Sequence, residues 1–322
     1  MFSRRVLRIK TMQVLYGYFG GSNENPFKAE KDLIFSVQKS YQLFFYLLKM
    51  SIDIVDYAEQ KIETAKSKML PTHLDLNPNT RFIENKIVIV LRNNSTIKTF
   101  LNNYPFDWDI NQELIKKMYN QLIDNPFYNE YMNADSAGLG DDKKIIQKLY
   151  TDIIAENEEL SQFLEEQSIY WNDDLEFIIS MIVKLISTIR DEEASHLKIP
   201  PMFANKEDEF FTKDLLHKTI AQHEDNEKLI SNFTKNWDVE RIAQLDVLLM
   251  EMALVELTEM EEVPVKVTLN EYIELARYYS TEKSWAFING ILDNLIPHLR
   301  KEGRINKKGK GMLGETPEQE NN

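Results

Sequence analysis

Apolar residues recur at spacings of three and four along almost the whole chain, and runs that alternate apolar with polar are scarce. That periodicity marks amphipathic helices and predicts an all-α protein. Helices are predicted over 4–19, 27–69, 80–103, 109–133, 142–166, 173–192, 207–224, 226–236, 239–259, 268–280 and 282–301. Between them lie Gly20-Gly21-Ser22-Asn23, Pro71, Asn77-Pro78-Asn79, Pro105, Ser136 to Gly140 and Pro200-Pro201, all residues that interrupt helices. No glycine falls between Gly140 and Gly290, which excludes Gly-rich phosphate loops and dinucleotide fingerprints from the middle of the chain. The chain has no cysteine, so disulfide frameworks, thiolate zinc sites and cysteine nucleophiles are excluded too. No apolar run approaches the ~20 residues of a membrane span. The N-terminal arginines are not followed by the apolar core of a secretory signal. With 322 residues, the reading is a cytoplasmic protein of about two domains.

The net charge of −14 argues at first against a nucleic-acid partner, but its distribution is uneven. Residues 1–20 carry +4, residues 297–311 carry +5 and the last eleven carry −3, leaving −20 on residues 21–296. An acidic body confers solubility and also complements a basic partner. In the first helix, Arg5, Met12 and Tyr16 share one stripe, flanked by Arg8 and Ile9. Leu7, Thr11, Val14, Leu15 and Tyr18 form the opposite, core-like face. Arg4, Arg5, Arg8 and Lys10 crowd the helix N-terminus, where the macrodipole disfavours cations by some tenths of a kcal/mol. Either an anionic ligand such as phosphate or a solvated basic terminus accounts for them. Arg300, Lys301 and Arg304 sit where the dipole favours cations and need no ligand.

Catalytic and metal chemistry is poorly represented. Glu193-Ala-Ser-His196 has the Glu-x-x-His spacing of di-iron bundles, but those need a second copy and none occurs. His217 and His223 are six apart and do not share a helix face. There is no Gly-x-Ser-x-Gly elbow. No metal, no cofactor and no enzymatic activity are expected. In the last third, Thr268-Leu269-Asn270-Glu271 has the spacing of a capping box, and Ser280 and Thr281 offer the next N-cap. Asn289-Gly290 falls within the final helix, where glycine costs about 1 kcal/mol against alanine. Close approach of another helix or a ligand would explain it.

Two blocks carry a resemblance. The first is Arg4-Arg5-Val-Leu-Arg8-Ile-Lys10-Thr-Met-Gln13-Val-Leu15-Tyr16. The second runs from about Glu209 to Leu299 and includes Val263-Pro264, Asn270-Glu271, Glu274-Leu275-Ala276 and Phe287-Ile288-Asn289-Gly290-Ile291-Leu292-Asp293. Together they resemble the bacterial transcription antitermination factor family NusB. The resemblance implies an all-α, NusB-like helical bundle that binds and does not catalyse. It implies single-stranded boxA-like RNA of ribosomal RNA leaders as ligand, the ribosomal protein NusE as co-binder, and the RNA polymerase antitermination complex as the assembly. By position, Arg4, Arg5, Arg8 and Lys10 are the implied phosphate contacts. Phe287 is implied to stack on a base, with Lys283, Ser284 and Asn289 on the same rim. Tyr16, Glu240 and Asp246 are implied to face NusE.

Two departures stand out. Glu251 occupies a position where the family often has Arg, and Ala286 one where it has Lys or a similar residue. An acid at an RNA surface would lower affinity. Compact members are less than half this length and lack residues 21–206. These read as a helical insertion with a core including Phe44, Phe45, Leu47 and Leu48 and an aromatic anchor at Tyr170-Trp171-Asn172-Asp173-Asp174. The resulting division is 1–20 for the first helix, 21–206 for the insertion, 207–302 for the NusB-like domain and 303–322 for a disordered tail. Both a monomer and a homodimer fit. Two rivals differ in class. One is a helical adaptor that has lost RNA binding. The other is an accessory domain of an rRNA methyltransferase, for which the chain has neither strands nor a Gly-rich loop.

Overall fold

A computed structural model describes residues 2–21, 25–106, 108, 112–136, 138–234 and 243–314. Fifteen α-helices and no strand occur among the described residues. They are α1 (Arg4–Gly20), α2 (Pro26–Lys66), α3 (His73–Leu76), α4 (Lys86–Asn93), α5 (Ser95–Asn103), α6 (Gln112–Asp124), α7 (Pro126–Asn133), α8 (Leu139–Lys148), α9 (Glu158–Gln167), α10 (Leu175–Thr188), α11 (Lys206–Ala221), α12 (His223–Phe233), α13 (Gln244–Glu259), α14 (Val265–Tyr279) and α15 (Ser284–Lys301). A π-helical turn over Leu149–Ile154 continues α8. None of these helices is long and apolar enough to cross a membrane.

Three helices predicted as single are divided, each at an asparagine. Asn94 ends α4 and caps α5 by accepting from the amides of Thr96 and Ile97. Asn125 caps α7 with Pro126 at its first position. Asn157 caps α9 through the Leu160 amide at 2.7 Å. An asparagine oxygen satisfies amides that a helix start leaves unpaired, so it starts a new helix within an amphipathic pattern.

The chain forms two compact units, Met1–Val37 with Pro201–Asn322, and Gln38–Pro200. The sequence placed these limits at 20/21 and 206/207. The first turns of α2 belong with the first unit because Glu30 pairs with Lys213 at 3.5 Å and His217 at 2.6 Å, both on α11. In the second unit, Phe44, Phe45, Leu47 and Leu48 are buried as expected. Buried aromatics there also hold backbone carbonyls: the Trp108 indole donates to Tyr46 O, Tyr150 Oη to Leu47 O and the Trp171 indole to Lys39 O, each at 2.8 Å. Indole and phenol donors need such acceptors once buried.

In the first unit, α13 is the central helix. Neighbouring α1, α11, α12, α14 and α15 all pack against it, and it is buried on every side from Leu248 to Leu257. Two cap expectations change. α14 begins at Val265, not at Thr268, because Pro264 already sets the cap with extended backbone. Thr268 is therefore one turn inside and buried, and its hydroxyl serves a different partner. Likewise α15 begins at Ser284 after Lys283, and the hydroxyls of Ser280 and Thr281 are used elsewhere.

The tail expected to lack structure from Gly303 is placed as far as Gly314, with a 3-10 turn at Gly309–Met312. Lys307 explains this. Its buried ammonium donates to Glu256 O at 3.0 Å and Met260 O at 2.9 Å, the carbonyls that end α13. A cation there also complements the helix dipole. Lys308 N adds a bond to Glu261 O. Gly311 lies so close that a Cβ would stand 2.0 Å from Glu261 O. Gly311→Ala is expected to detach this segment. Hydrogen exchange at the Lys308 and Gly311 amides would rise to the rate of an open chain, and unchanged protection would show that the contact yields.

Candidate nucleic-acid interface

The arginine-rich start of α1 divides into surface and interior. Arg4 is half-exposed, donates to Asp208 on α11 at 2.9 Å and lies over the Phe211 ring. Arg5 is exposed and makes a two-pronged pair with Glu271 on α14, both bonds 2.8 Å. Arg8 is only 2% exposed. It grips Glu256 of α13 in a fork of 2.7 and 2.6 Å, with Glu271 at 3.7 Å. The hydroxyls of Thr268 and Tyr272 complete the Glu256 carboxylate at 2.8 and 3.2 Å. Burial alone would favour loss of the Arg8 charge, but Glu256 outweighs it and holds the guanidinium pKa above its ordinary value. Lys10 is 1% exposed. Arg8 and Lys10 are thus not surface groups, a correction to the expected row of four phosphate contacts. In α1 the turn of about 100° per residue puts them against neighbouring helices.

Glu271 feels burial, which raises its pKa, and Arg5 and Arg8, which lower it further; the net shift is downward from 4.5. A depressed carboxylate contributes stability above its unfolded value and loses it as the pH falls through the folded one. The Arg5–Glu271–Arg8 link therefore weakens on acidification below pH 4.5.

The partner-facing acids are also relocated. Asp246 is 5% exposed. It accepts from Ser280 Oγ at 2.5 Å and Ser284 Oγ at 2.7 Å, which ties the start of α13 to the turn between α14 and α15. Ser284 is buried by the same contact. Neither residue is a surface contact, in contrast to expectation. Glu251, expected as an acid at an RNA surface, is buried against His223 of α12 at 3.0 Å. Glu240 lies outside the described residues. Tyr16 is half-exposed.

The α14–α15 corner carries what remains at the surface. Lys283 and Ala286 are exposed, and Phe287 and Asn289 are half-buried, with Asn289 bonded to Asp293 at 3.0 Å. Gly290 is exposed and a Cβ there would meet nothing within 4 Å, so no described group makes the close approach expected of it. Two aromatics went unnoticed in the sequence. Tyr278, on the last turn of α14, is 78% exposed. Trp285, on the first turn of α15, lies under the Arg277 guanidinium at 4.6 Å. Arg5 pairs with Glu271, about two turns before Tyr278 on the same helix, which sets the start of α1 against α14. The tandem Tyr278-Tyr279 at the end of an amphipathic helix was the available signal, since consecutive residues cannot share one buried face. His196, weighed as a ligand, is exposed and paired with Asp191 at 2.9 Å and Glu193 at 3.2 Å. No group of metal-binding side chains occurs among the described residues.

Comparison with known proteins places this arrangement. Residues 181–297 match the model of the NusB family. The transcription antitermination protein NusB of Salinibacter ruber is 37% identical over 124 residues, 38% of this chain and 78% of that protein. The chain belongs to the NusB family. The protein of the same name from Finegoldia magna is 41% identical over 98 residues, covering 30% of this chain and 70% of its own length. That of Chloroherpeton thalassium is 36% identical over 103 residues, 32% of this chain and 49% of its own. No solved structure matches the chain. These NusB relatives bear the name of a transcription antitermination protein, not of an enzyme.

Proposed function

We propose that this chain is an RNA-binding transcription antitermination factor that acts with NusE on boxA-type leader RNA and promotes transcription of ribosomal RNA. The observation that carries the RNA half is the set of exposed aromatic and basic side chains around the α14–α15 corner: Trp285 lies under Arg277, Tyr278 and Lys283 are exposed, and Arg5 is tied to α14 through Glu271. Exposed aromatic faces interleaved with cations suit single-stranded RNA, whose unpaired bases stack and whose phosphates need charge. Arg5 and Arg277 are held by carboxylates at 2.8 and 3.6 Å. Exposed pairs of this kind are worth about 1 kcal/mol or less, so a phosphate competes for them. Arg4 and Arg5 are the surface members of the arginine-rich start, and Phe287 and Asn289 extend the face along α15.

The test is a titration of fluorescent boxA-like RNA at two salt concentrations, with and without NusE. Tight, salt-sensitive binding that NusE enhances is expected. Replacing Arg4 and Arg5 together with Ala should flatten the dependence of log K on log salt by about 0.7 per lost phosphate contact. Tyr278→Ala and Trp285→Ala should each cost about 1–3 kcal/mol of RNA affinity. Wild-type affinity in all three variants would remove RNA from this face. The adaptor reading draws on one observation, the pairing of Arg4, Arg5 and Arg8 with Asp208, Glu271 and Glu256. Absence of RNA binding at low salt, with NusE binding intact, would decide for it.

A further inference from the structure

A pocket of about 280 Å³ opens between α1, α12 and α13. Tyr16 and Phe19 of α1 form one wall and His223 and Glu227 of α12 another, with Val247 and Glu251 of α13 between them. The Phe19 and His223 rings stack at 4.1 Å and 24°. No Lys or Arg is among the described residues that line it. Glu251 is 1% exposed, and its two oxygens share one ring nitrogen, His223 Nδ1, at 3.0 Å each. A carboxylate accepts about four hydrogen bonds, so this one is under-used for its depth.

We propose that this pocket takes the cationic head of a basic side chain, a guanidinium above all, presented by a protein partner. A guanidinium carries five donors in a planar fork that matches a carboxylate. Tyr16 adds an aromatic ring to the wall, and cations are drawn to such rings within ~6 Å. An apolar occupant would leave Glu251 with His223 Nδ1 alone, and a phosphate would meet Glu251 and Glu227 as like charges. That the side chain belongs to NusE rests on the reading above; the pocket's preference for a cation does not.

The test is an NMR titration of the full chain with N-acetyl-arginine methylamide, against the same amide of citrulline, which has the shape without the charge. Saturable shifts of the Tyr16, Phe19 and His223 ring signals are expected with the arginine compound, with citrulline at least about tenfold weaker. Affinity should fall by about tenfold from pH 8 to pH 6. Burial, only partly offset by His223, pushes Glu251 up to about 7, so the acid form loses the charge that holds the cation. The titratable groups facing Glu251 are His223, Glu227 and Tyr16. Glu251→Gln should abolish the arginine shifts. Should that variant not fold, the arginine and citrulline titrations of the unaltered chain decide alone. Shifts that do not saturate, equal shifts from both amides, or displacement of the arginine compound by a short single-stranded RNA would overturn the proposal. Arginine binding that NusE fails to displace would leave the pocket standing and remove NusE as its occupant.

Discussion

Replacing Arg8 with Met is expected to lower the stability of the first unit by about 3–5 kcal/mol, because it strands the Glu256 carboxylate in the interior. Urea denaturation followed by far-UV circular dichroism measures this. The pair itself need not be a large net contributor, since taking two charges out of water offsets much of their attraction. The double variant Arg8→Met with Glu256→Leu should therefore regain a good part of the loss. What it does not regain belongs to the Tyr272 and Thr268 hydroxyls, which lose the Glu256 oxygens and leave Thr268 with Pro264 O at 3.5 Å. A loss below about 1 kcal/mol in the single variant would mean the site is wet and Arg8 free to leave it. The result also governs how RNA data are read. A triple substitution of Arg4, Arg5 and Arg8 would confuse unfolding with lost contact, whereas Arg4 and Arg5 alone report on the surface.

Asp246→Lys is the second large effect. The substitution puts an ammonium where Ser280 and Ser284 donate hydrogen bonds, and a loss of about 3 kcal/mol or more is expected at the α13–α15 junction. Read in a pull-down, such a variant loses every partner at once. Asp246→Asn separates the cases, because it keeps an acceptor for one serine and should cost about 1 kcal/mol while leaving NusE binding in place. An Asp246→Lys protein as stable as the parent would put Asp246 back at the surface and restore it as a contact for a basic partner.

The helical class was legible because the spacing of apolar residues is a property of sequence alone. Its subdivision at Asn94, Asn125 and Asn157 was not, since asparagine sits equally well on the polar face of a continuous helix and at a cap. The capping box at Thr268 misled for the related reason that Thr-x-x-Glu also arises in mid-helix. For the site, the resemblance pointed to α1 and to α13–α15 but not to which way their charges point. Arg8, Lys10, Asp246 and Glu251 are charged letters on helices, and charged residues are seldom fully buried unless paired. Their partners are distant in sequence, 248 residues apart for Arg8 and Glu256, so no local pattern announces them. Tyr278 and Trp285 were not singled out at all, although the tandem Tyr278-Tyr279 offered a signal for the first.

Asp246, Glu251 and Glu256 lie five residues apart, and at about 100° per residue each step turns roughly 140° around the helix. The three acids of α13 therefore point three ways, to the α14–α15 turn, to α12 and to α1. A greasy cylinder among greasy neighbours has many rotations of similar energy. With three keyed acids it has one, because turning α13 by a single residue would unseat all three carboxylates together. The charges that looked like surface features thus act as a rotational lock, and they fix the angle at which α1 and the α14–α15 corner meet α13.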